Sequence, residues 1–223
     1  MNKSIEPVAP ASSRLDPSDL GPVVEMTLAE ATRRGASGAE AVAALSQGLS
    51  VNVRMGELET VEHTRDRGLI ITVYFEQRTG SASTSDYSPT SIKDTVQAAC
   101  RIAEYTEADS CNGLADPDRL ATDFPNLDLF HPWNPSVDDA CDMALECEQT
   151  AIDHDRRIEN SEGASVSSHE GHEVYATTSG FWGESRKTRH GLSCSVIGRD
   201  DSGMQRDYWF SSSRQAAQLD KPD

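Results

Sequence analysis

The sequence lacks the features of secreted, membrane-spanning and nucleic-acid-binding proteins. Its first residues contain no apolar run of signal-peptide length. No stretch reaches the roughly 18 consecutive apolar residues that predict a transmembrane helix. Basic residues are few, since 20 Lys and Arg face 37 Asp and Glu, a formal net charge of −17. An acidic surface repels phosphate groups, so we expect neither nucleic acid nor an anionic membrane as a partner.

Short motifs that carry catalytic chemistry are also missing. The sequence contains no CxxC, no HExxH, no GxSxG and no glycine-rich phosphate loop. The number of cysteines is odd, which favours reduced thiols in a cytoplasmic protein over a disulfide framework. They are Cys100, Cys111, Cys141, Cys147 and Cys194. The residues alone therefore predict no catalytic site.

The densest apolar stretch is Leu69–Phe75, which is rich in β-branched and aromatic residues. It is apolar at both odd and even positions, which predicts a central strand covered on both faces. Short turns are predicted at 47–48, 56, 66–68 and 78–80, so the strand signals around this run predict an antiparallel meander. The predicted strands of this meander are 39–46, 49–55, 57–63, 69–75 and 81–85.

Three amphipathic helices are predicted, each with an N-terminal cap. The caps are Asp16 before Pro17, Ser88 before Pro89, and Ser136. The second half of the chain is again rich in strand signals, with turns predicted at 169–171, 179–180 and 200–203. Its predicted strands are 162–168, 173–178, 182–189, 192–198 and 204–211.

These elements predict an α+β protein with two sub-domains, each an antiparallel meander packed with helices. We expect a disordered segment over 1–16, because it is rich in Pro, Ser and Ala. The first domain then spans 17–105 and the second 136–223. An irregular connection rich in Pro and Asp covers 106–135. The segment from Glu104 to Glu148 around this connection is acidic, and we call it the acidic segment. It indicates either a solvated face or a docking surface for a partner.

Several polar clusters invite a functional interpretation. His169 and His172 suggest a metal site, but they are three apart and fall at a predicted hairpin tip, so an exposed turn is the favoured interpretation. Asp153, His154 and Asp155 could titrate near neutrality, although a helix C-terminus explains them more simply. Cys141 and Cys147 are six apart on a helix, so they face different directions and form no metal pair.

A basic cluster, RKTRH at 186–190, is the one dense group of positive charge. It indicates either an exposed strand end or a bridge to the acidic segment, within the chain or across a subunit contact.

Six segments of the chain resemble the TldD/PmbA family, on its PmbA (TldE) side. They are VNVRMGELE (51–59), GLIITVYFEQRTGSASTSDYSP (68–89), NLDLFHP (126–132), NSEGASVSSHEG (160–171), KTRHGLSCSVIG (187–198) and MQRDYWF (204–210).

The resemblance implies a cytoplasmic heterodimer of a TldD-like and a TldE-like chain that forms a zinc metallopeptidase. That enzyme acts on unfolded or small peptides, including antibiotic precursors. The family's zinc ligands lie in an HExxxH motif and a later Cys of the TldD chain, and this sequence has no such motif. No catalytic, cofactor or metal residue is therefore transferred to this chain, and zinc is expected in the TldD-like partner.

The resemblance also implies that the chain ends near the start of the family's C-terminal domain, so we expect a fragment or a truncated gene product. The first hypothesis is a PmbA/TldE-like subunit that is inactive alone. The second is a non-catalytic module that binds peptides or proteins. The least favoured is a self-contained metalloenzyme that uses His169 and His172.

A missing C-terminal domain would leave apolar surface exposed, and such surface promotes association. We predict a scattering mass that rises with protein concentration in static light scattering. A protein that stays monomeric and melts cooperatively over the same concentrations would contradict the fragment hypothesis.

Overall fold

A computed structural model of the protein describes residues 20–220. The α+β class is confirmed. The predicted disorder over 1–16 and the helix cap at Asp16 and Pro17 lie outside these residues. In chain order the elements are α1 Leu20–Arg33, β1 Gly38–Arg54, β2 Glu57–Phe75, β3 Arg78–Thr84, α2 Pro89–Tyr105, α3 Val137–His154, β4 Ile158–Thr177, β5 Trp182–Asp200 and β6 Gly203–Ser213. The connection between α2 and α3 is irregular apart from one 3₁₀ turn, Pro117–Arg119.

The helices follow the predicted apolar stripes. Ser88 caps α2 by accepting a hydrogen bond from the Ser91 amide. At α3, Ser136 and Asp139 each accept from the other's backbone N–H, a capping box worth about 1 kcal/mol. The predicted stripe residues are buried or packed against the core in all three helices, because a 3.6-residue period places them on one side.

The two meanders form one antiparallel sheet with the strand order β3-β2-β1-β4-β5-β6. Strand β1 pairs with β2 on one side and with β4 on the other, so Ala41 lies between Ile71 and Ala176. Each predicted meander is thus half of a continuous sheet. The division of the chain into domains at 105 and 136 stays a prediction.

All three helices cover the same face of this sheet, which we call the helical face. The buried side chains of β1 all occupy odd-numbered positions, and alternation places such positions on one side. Helices α1 and α2 cover the end of β1 from Ala39 to Leu45. Helix α3 covers the other end, at Val51 and Val53. The core therefore consists of two apolar clusters on one face.

The opposite face, which we call the open face, carries a polar bridge across three strands. Glu40 on β1 accepts hydrogen bonds from the Tyr74 hydroxyl of β2 at 3.0 Å and the Tyr175 hydroxyl of β4 at 2.6 Å. Burial, and then the bond to Glu40, raises the pKa of Tyr74 to about 12. Both phenols therefore stay protonated and can donate at neutral pH.

Three predicted turns are wrong, because the chain runs straight through them. Gln47-Gly48 lies inside β1, 66–68 inside β2, and 169–171 inside β4. A Cβ at Gly48 would collide with the His169 ring, so this glycine permits a close approach between strands rather than a turn. Each half therefore contains three strands where five were predicted, and β1, β2, β4 and β5 each span two of the predicted strands.

The prediction that Leu69–Phe75 is covered on both faces is also wrong within the described residues. Leu69, Ile71 and Val73 are fully buried, whereas Ile70 is 51% exposed. The cause is the placement of every helix on the helical face, which leaves the even positions of β2 toward the open face.

Glu148 anchors α3 to the turn between β1 and β2. Its side chain is buried and accepts hydrogen bonds from the amides of Met55 and Gly56 at 2.9 and 2.8 Å. Both turn residues have positive φ, 51° and 78°, as a type I′ hairpin turn requires. The carboxylate thus satisfies two donors at a strained point of the backbone.

We predict that Glu148→Ala lowers the free energy of unfolding by about 3 kcal/mol, because two donors lose a charged acceptor. Urea denaturation followed by circular dichroism measures the change. Glu146→Ala, at an exposed position of the same helix, is the control and should shift stability by less than about 0.5 kcal/mol. Equal losses in the two variants would contradict this role for Glu148.

Candidate functional site

A polar cleft lies on the helical face, in the gap between the α1/α2 layer and α3. Its volume is about 240 Å³. The segment Trp133–Pro135 borders it, and four adjacent strands line it. The lining side chains that can donate or accept hydrogen bonds include Gln47, His63, Arg65, Ser168, Glu170 and His190.

The segment Leu129–Trp133 is held against the sheet by hydrogen bonds to its backbone. The amide of Thr188 donates to the Leu129 carbonyl at 2.9 Å, and the Thr188 hydroxyl accepts from the His131 amide at 3.0 Å. The Ser168 hydroxyl donates to the Trp133 carbonyl at 2.7 Å. These bonds fix one wall of the cleft, although the segment that forms this wall has no regular secondary structure.

His190 is the buried centre of this attachment. Its Nε2 lies 2.9 Å from the His131 carbonyl oxygen, and because a carbonyl only accepts, Nε2 carries the hydrogen. Its Nδ1 lies 3.1 Å from the Ser168 hydroxyl. The Trp133 ring packs edge-on against the imidazole at 5.4 Å between centroids.

The contact between Ser168 and His190 resembles a nucleophile and its base, yet its geometry fits a structural tether. The hydroxyl has one hydrogen, and both His190 Nδ1 and the Trp133 carbonyl lie within reach of it. Ser168 and His190 are 8% and 1% exposed, and the Ser168 hydroxyl is already engaged with the Trp133 carbonyl at 2.7 Å. Ser168 and His190 therefore hold the wall of the cleft.

The cleft is lined by groups of both charge signs, Arg65 and Glu170. The side-chain amide of Gln47 donates a hydrogen bond to the Glu170 carboxylate.

A second polar group lies beyond the cleft. Arg186 stacks over the Phe130 ring at 4.2 Å, and its Nε lies 3.4 Å from His172 Nε2. Burial, and then the nearby Arg186 charge, lowers the pKa of His172. The chemistry that these groups support is binding through hydrogen bonds.

The predicted hairpin tip at His169–His172 is wrong, since both histidines lie within β4, a strand paired on both sides. His172 faces the helical face, opposite Leu45, while His169 lies on the open face over Gly48. Within residues 20–220 no group of three or more His, Cys, Asp or Glu side chains could hold a metal ion. The zinc ion that the resemblance implies stays an expectation for the TldD-like partner.

The helix-end interpretation of Asp153, His154 and Asp155 is confirmed, because α3 ends at His154 and Asp155 caps it. The Asp153 carboxylate accepts from Gln149 Nε2 at 2.9 Å. The Asp155 carboxylate pairs with Arg157 at 2.7 Å, and this hydrogen-bonded arginine lowers the pKa of Asp155. Cys141 and Cys147 are not partners. Cys147 lies in the apolar cluster beneath α3, whereas Cys141 is only packed against it.

The basic cluster lies in the middle of β5, so the prediction of a strand end is wrong. Thr188 and His190 point into the helical face and bind the segment before α3, while Arg186, Lys187 and Arg189 are exposed. Within residues 20–220 no ion pair joins these cations to the acidic segment. A bridge across a subunit contact stays a prediction.

Sequence reasoning missed His190, Ser168 and Thr188 as contributors to the cleft. A usable signal was present, because Thr188 and His190 continue the alternation that buries Leu192 and Cys194. Two polar residues in an inward-facing row indicate buried hydrogen bonds.

Comparison with known proteins gives two family matches. The model of the PmbA/TldA metallopeptidase domain 1 matches residues 39–103, and that of the central domain matches residues 130–223. The chain belongs to the PmbA/TldD metallopeptidase family. A relative named metalloprotease PmbA homolog, from Haemophilus influenzae, is 45% identical over 204 residues. The match covers 92% of this chain and 45% of the relative, so the chain spans about half the length of the curated relatives that it matches.

Solved structures share the fold of this chain. A Bacteroides thetaiotaomicron protein described as a candidate modulator of DNA gyrase aligns with a TM-score of 0.82 at 25% identity, over 90% of this chain and 46% of that one. TldE from Thermococcus kodakarensis shares the fold with a TM-score of 0.73 at 16% identity, over 88% of this chain and 44% of its own. No helix within residues 20–220 is both long and apolar enough to cross a membrane.

We predict that Thr188→Val releases the segment Leu129–Trp133, because the hydroxyl loses its bonds to the His131 amide and the Arg214 carbonyl. Hydrogen exchange of this segment should accelerate, and the free energy of unfolding should fall by about 2 kcal/mol. Thr72→Val, which removes an exposed hydroxyl on β2, is the control. Unchanged exchange in the Thr188 variant would contradict the tether.

Proposed function

We propose that this chain is the N-terminal part of a PmbA/TldE-like subunit in a cytoplasmic zinc metallopeptidase complex. The complex would contain a TldD-like chain and act on unfolded or small peptides. The observation that carries this proposal is the match of both the first and the central PmbA/TldA domains, in order, along one chain.

The proposed role of this chain is to pair with the TldD-like chain and to limit access to its zinc site. The zinc ion would polarise the scissile carbonyl and activate water when bound in that partner. In this chain, the open face supports a pairing role. Aromatic side chains on its β6 edge are exposed, Tyr208 by 69% and Phe210 by 63%, and their rings stack with centroids 6.3 Å apart. Exposed aromatic pairs are typical anchors of protein interfaces.

A second candidate function is peptide binding without proteolysis. Strand β3 pairs only with the Leu69–Phe75 part of β2. Within the described residues, no strand pairs with the outer edge of β2 from Glu57 to Thr64. An edge without a neighbouring strand can accept an extended peptide as an added strand. Such binding would not require a TldD-like chain.

The decisive experiment co-expresses the tagged chain with the TldD-like protein of the same organism. It then measures the hydrolysis of an unfolded fluorogenic peptide. We expect co-purification, hydrolysis that a zinc chelator abolishes, and no hydrolysis by either chain alone. His169→Ala/His172→Ala in the complex should retain the full rate. Hydrolysis by the lone chain, or its loss in the double variant, would overturn the assignment.

Fluorescence anisotropy with the same peptide and the lone chain separates the two candidates. Saturable binding by the lone chain, together with failure to co-purify, would favour the peptide-binding module. Co-purification without binding by the lone chain would exclude it.

A further inference from the structure

The floor of the polar cleft consists of two rows of side chains that run across four strands. Members of a row are direct partners in the antiparallel ladders, and alternation along the strands places them all on the helical face. The first row, which we call the charged row, is Arg65, Gln47, Glu170 and Thr188, and the second row is His63, Leu49, Ser168 and His190.

The charged row carries one cation and one anion with Gln47 between them. Adjacent strands lie about 4.8 Å apart, so about 10 Å separates the backbones of Arg65 and Glu170. The Gln47 amide donates to the Glu170 carboxylate, which keeps further lone pairs, and a guanidinium group has five donors. Arg65 and Glu170 can therefore bind a negative and a positive group of one small ligand at the same time.

Apolar surface borders the charged row on one side. Leu49 is the apolar member of the second row, and Trp133 and Pro135 approach it from the wall of the cleft. Ser168 and His190 are buried and bonded to the backbone of that wall. The centre of the second row therefore offers a ligand mainly hydrophobic contact.

The volume of the cleft limits the size of the ligand. It is about 240 Å³, which lies below the range of about 300 to 1,000 Å³ that is typical of sites for drug-sized ligands. A ligand that matches both the volume and the lining is small, carries one charge of each sign and has a short apolar part.

We propose that the cleft binds a free α-amino acid with an aliphatic side chain, such as leucine, in its zwitterionic form. The ligand carboxylate binds Arg65 and the ligand ammonium group binds Glu170, both through charge-assisted hydrogen bonds. The aliphatic side chain packs over Leu49 and against Trp133. This binding needs neither a TldD-like chain nor peptide hydrolysis, so its test is independent of the proposed peptidase complex.

Isothermal titration calorimetry of the 223-residue chain with L-leucine tests the proposal. We expect saturable binding of one leucine per chain. N-acetylleucine lacks the ammonium group and leucinamide lacks the carboxylate, so each should bind at least about tenfold more weakly. Absence of saturable leucine binding, or equal affinity for leucine and either capped form, would overturn the proposal.

The tripeptide Leu-Gly-Gly distinguishes a free amino acid from the N-terminus of a peptide. It keeps the ammonium group and the leucine side chain but moves the carboxylate away from Arg65. We expect it to bind at least about tenfold more weakly than leucine. Equal or tighter binding of the tripeptide would reject the free amino acid as the ligand.

Two charge-removing variants test the assigned residues. Glu170→Gln and Arg65→Gln should each weaken leucine binding by at least about tenfold. Their controls are Glu173→Gln, on the open face of the same strand, and Arg101→Gln, at an exposed position of α2. Both controls should bind leucine like the parent chain. Full binding by either cleft variant, or an equal loss in its control, would contradict the assignment.

Tryptophan signals locate the ligand without a change of charge. Trp133 borders the cleft, whereas Trp209 lines a separate cavity and Trp182 begins β5. In a proton–nitrogen correlation spectrum, leucine should shift the Trp133 indole signal, which Trp133→Phe identifies, and leave the other two in place. A shift confined to Trp182 or Trp209 would place leucine outside the cleft and overturn the proposal.

Discussion

The pairing of β1 with β4 is the constraint on which the other features depend. It runs from Glu40 opposite Thr177 to Val53 opposite Ala164 and joins two meanders into one sheet. Both strands are bonded along both edges, and over the residues that pair β1 with β4 their side chains alternate between two faces. The helices cover one of these faces at its two ends. The gap that remains between them is the polar cleft.

Polar side chains are buried in this core where they have hydrogen-bond partners. Glu148 meets two turn amides, and His190 meets a carbonyl and a hydroxyl. Within the described residues no buried side-chain nitrogen or oxygen lacks a hydrogen-bond partner. An unpaired buried polar group costs more than the bond itself contributes, so these attachments position α3 and the Leu129–Trp133 segment uniquely. The cleft wall depends on that positioning.

Local sequence signals predicted the helices well and the strand ends poorly. Ser88 and Ser136 cap helices because the capping bonds join residues three apart in the chain. Gly48 and Gly171 looked like turns, but both lie in strands whose edges are satisfied by other strands. Ladder hydrogen bonds on two sides outweigh the local turn preference of one glycine. The same error made His169 and His172 look like a hairpin tip.

The sequence by itself determined the α+β class, the three amphipathic helices and the family, because each depends on neighbouring residues or on long ordered blocks. Tertiary structure alone decided that His169 and His172 lie on opposite faces and that Ser168 contacts His190. Those relations come from strand register, which joins residues far apart in the chain. Periodicity shows which side of an element is buried, but not which element lies against it.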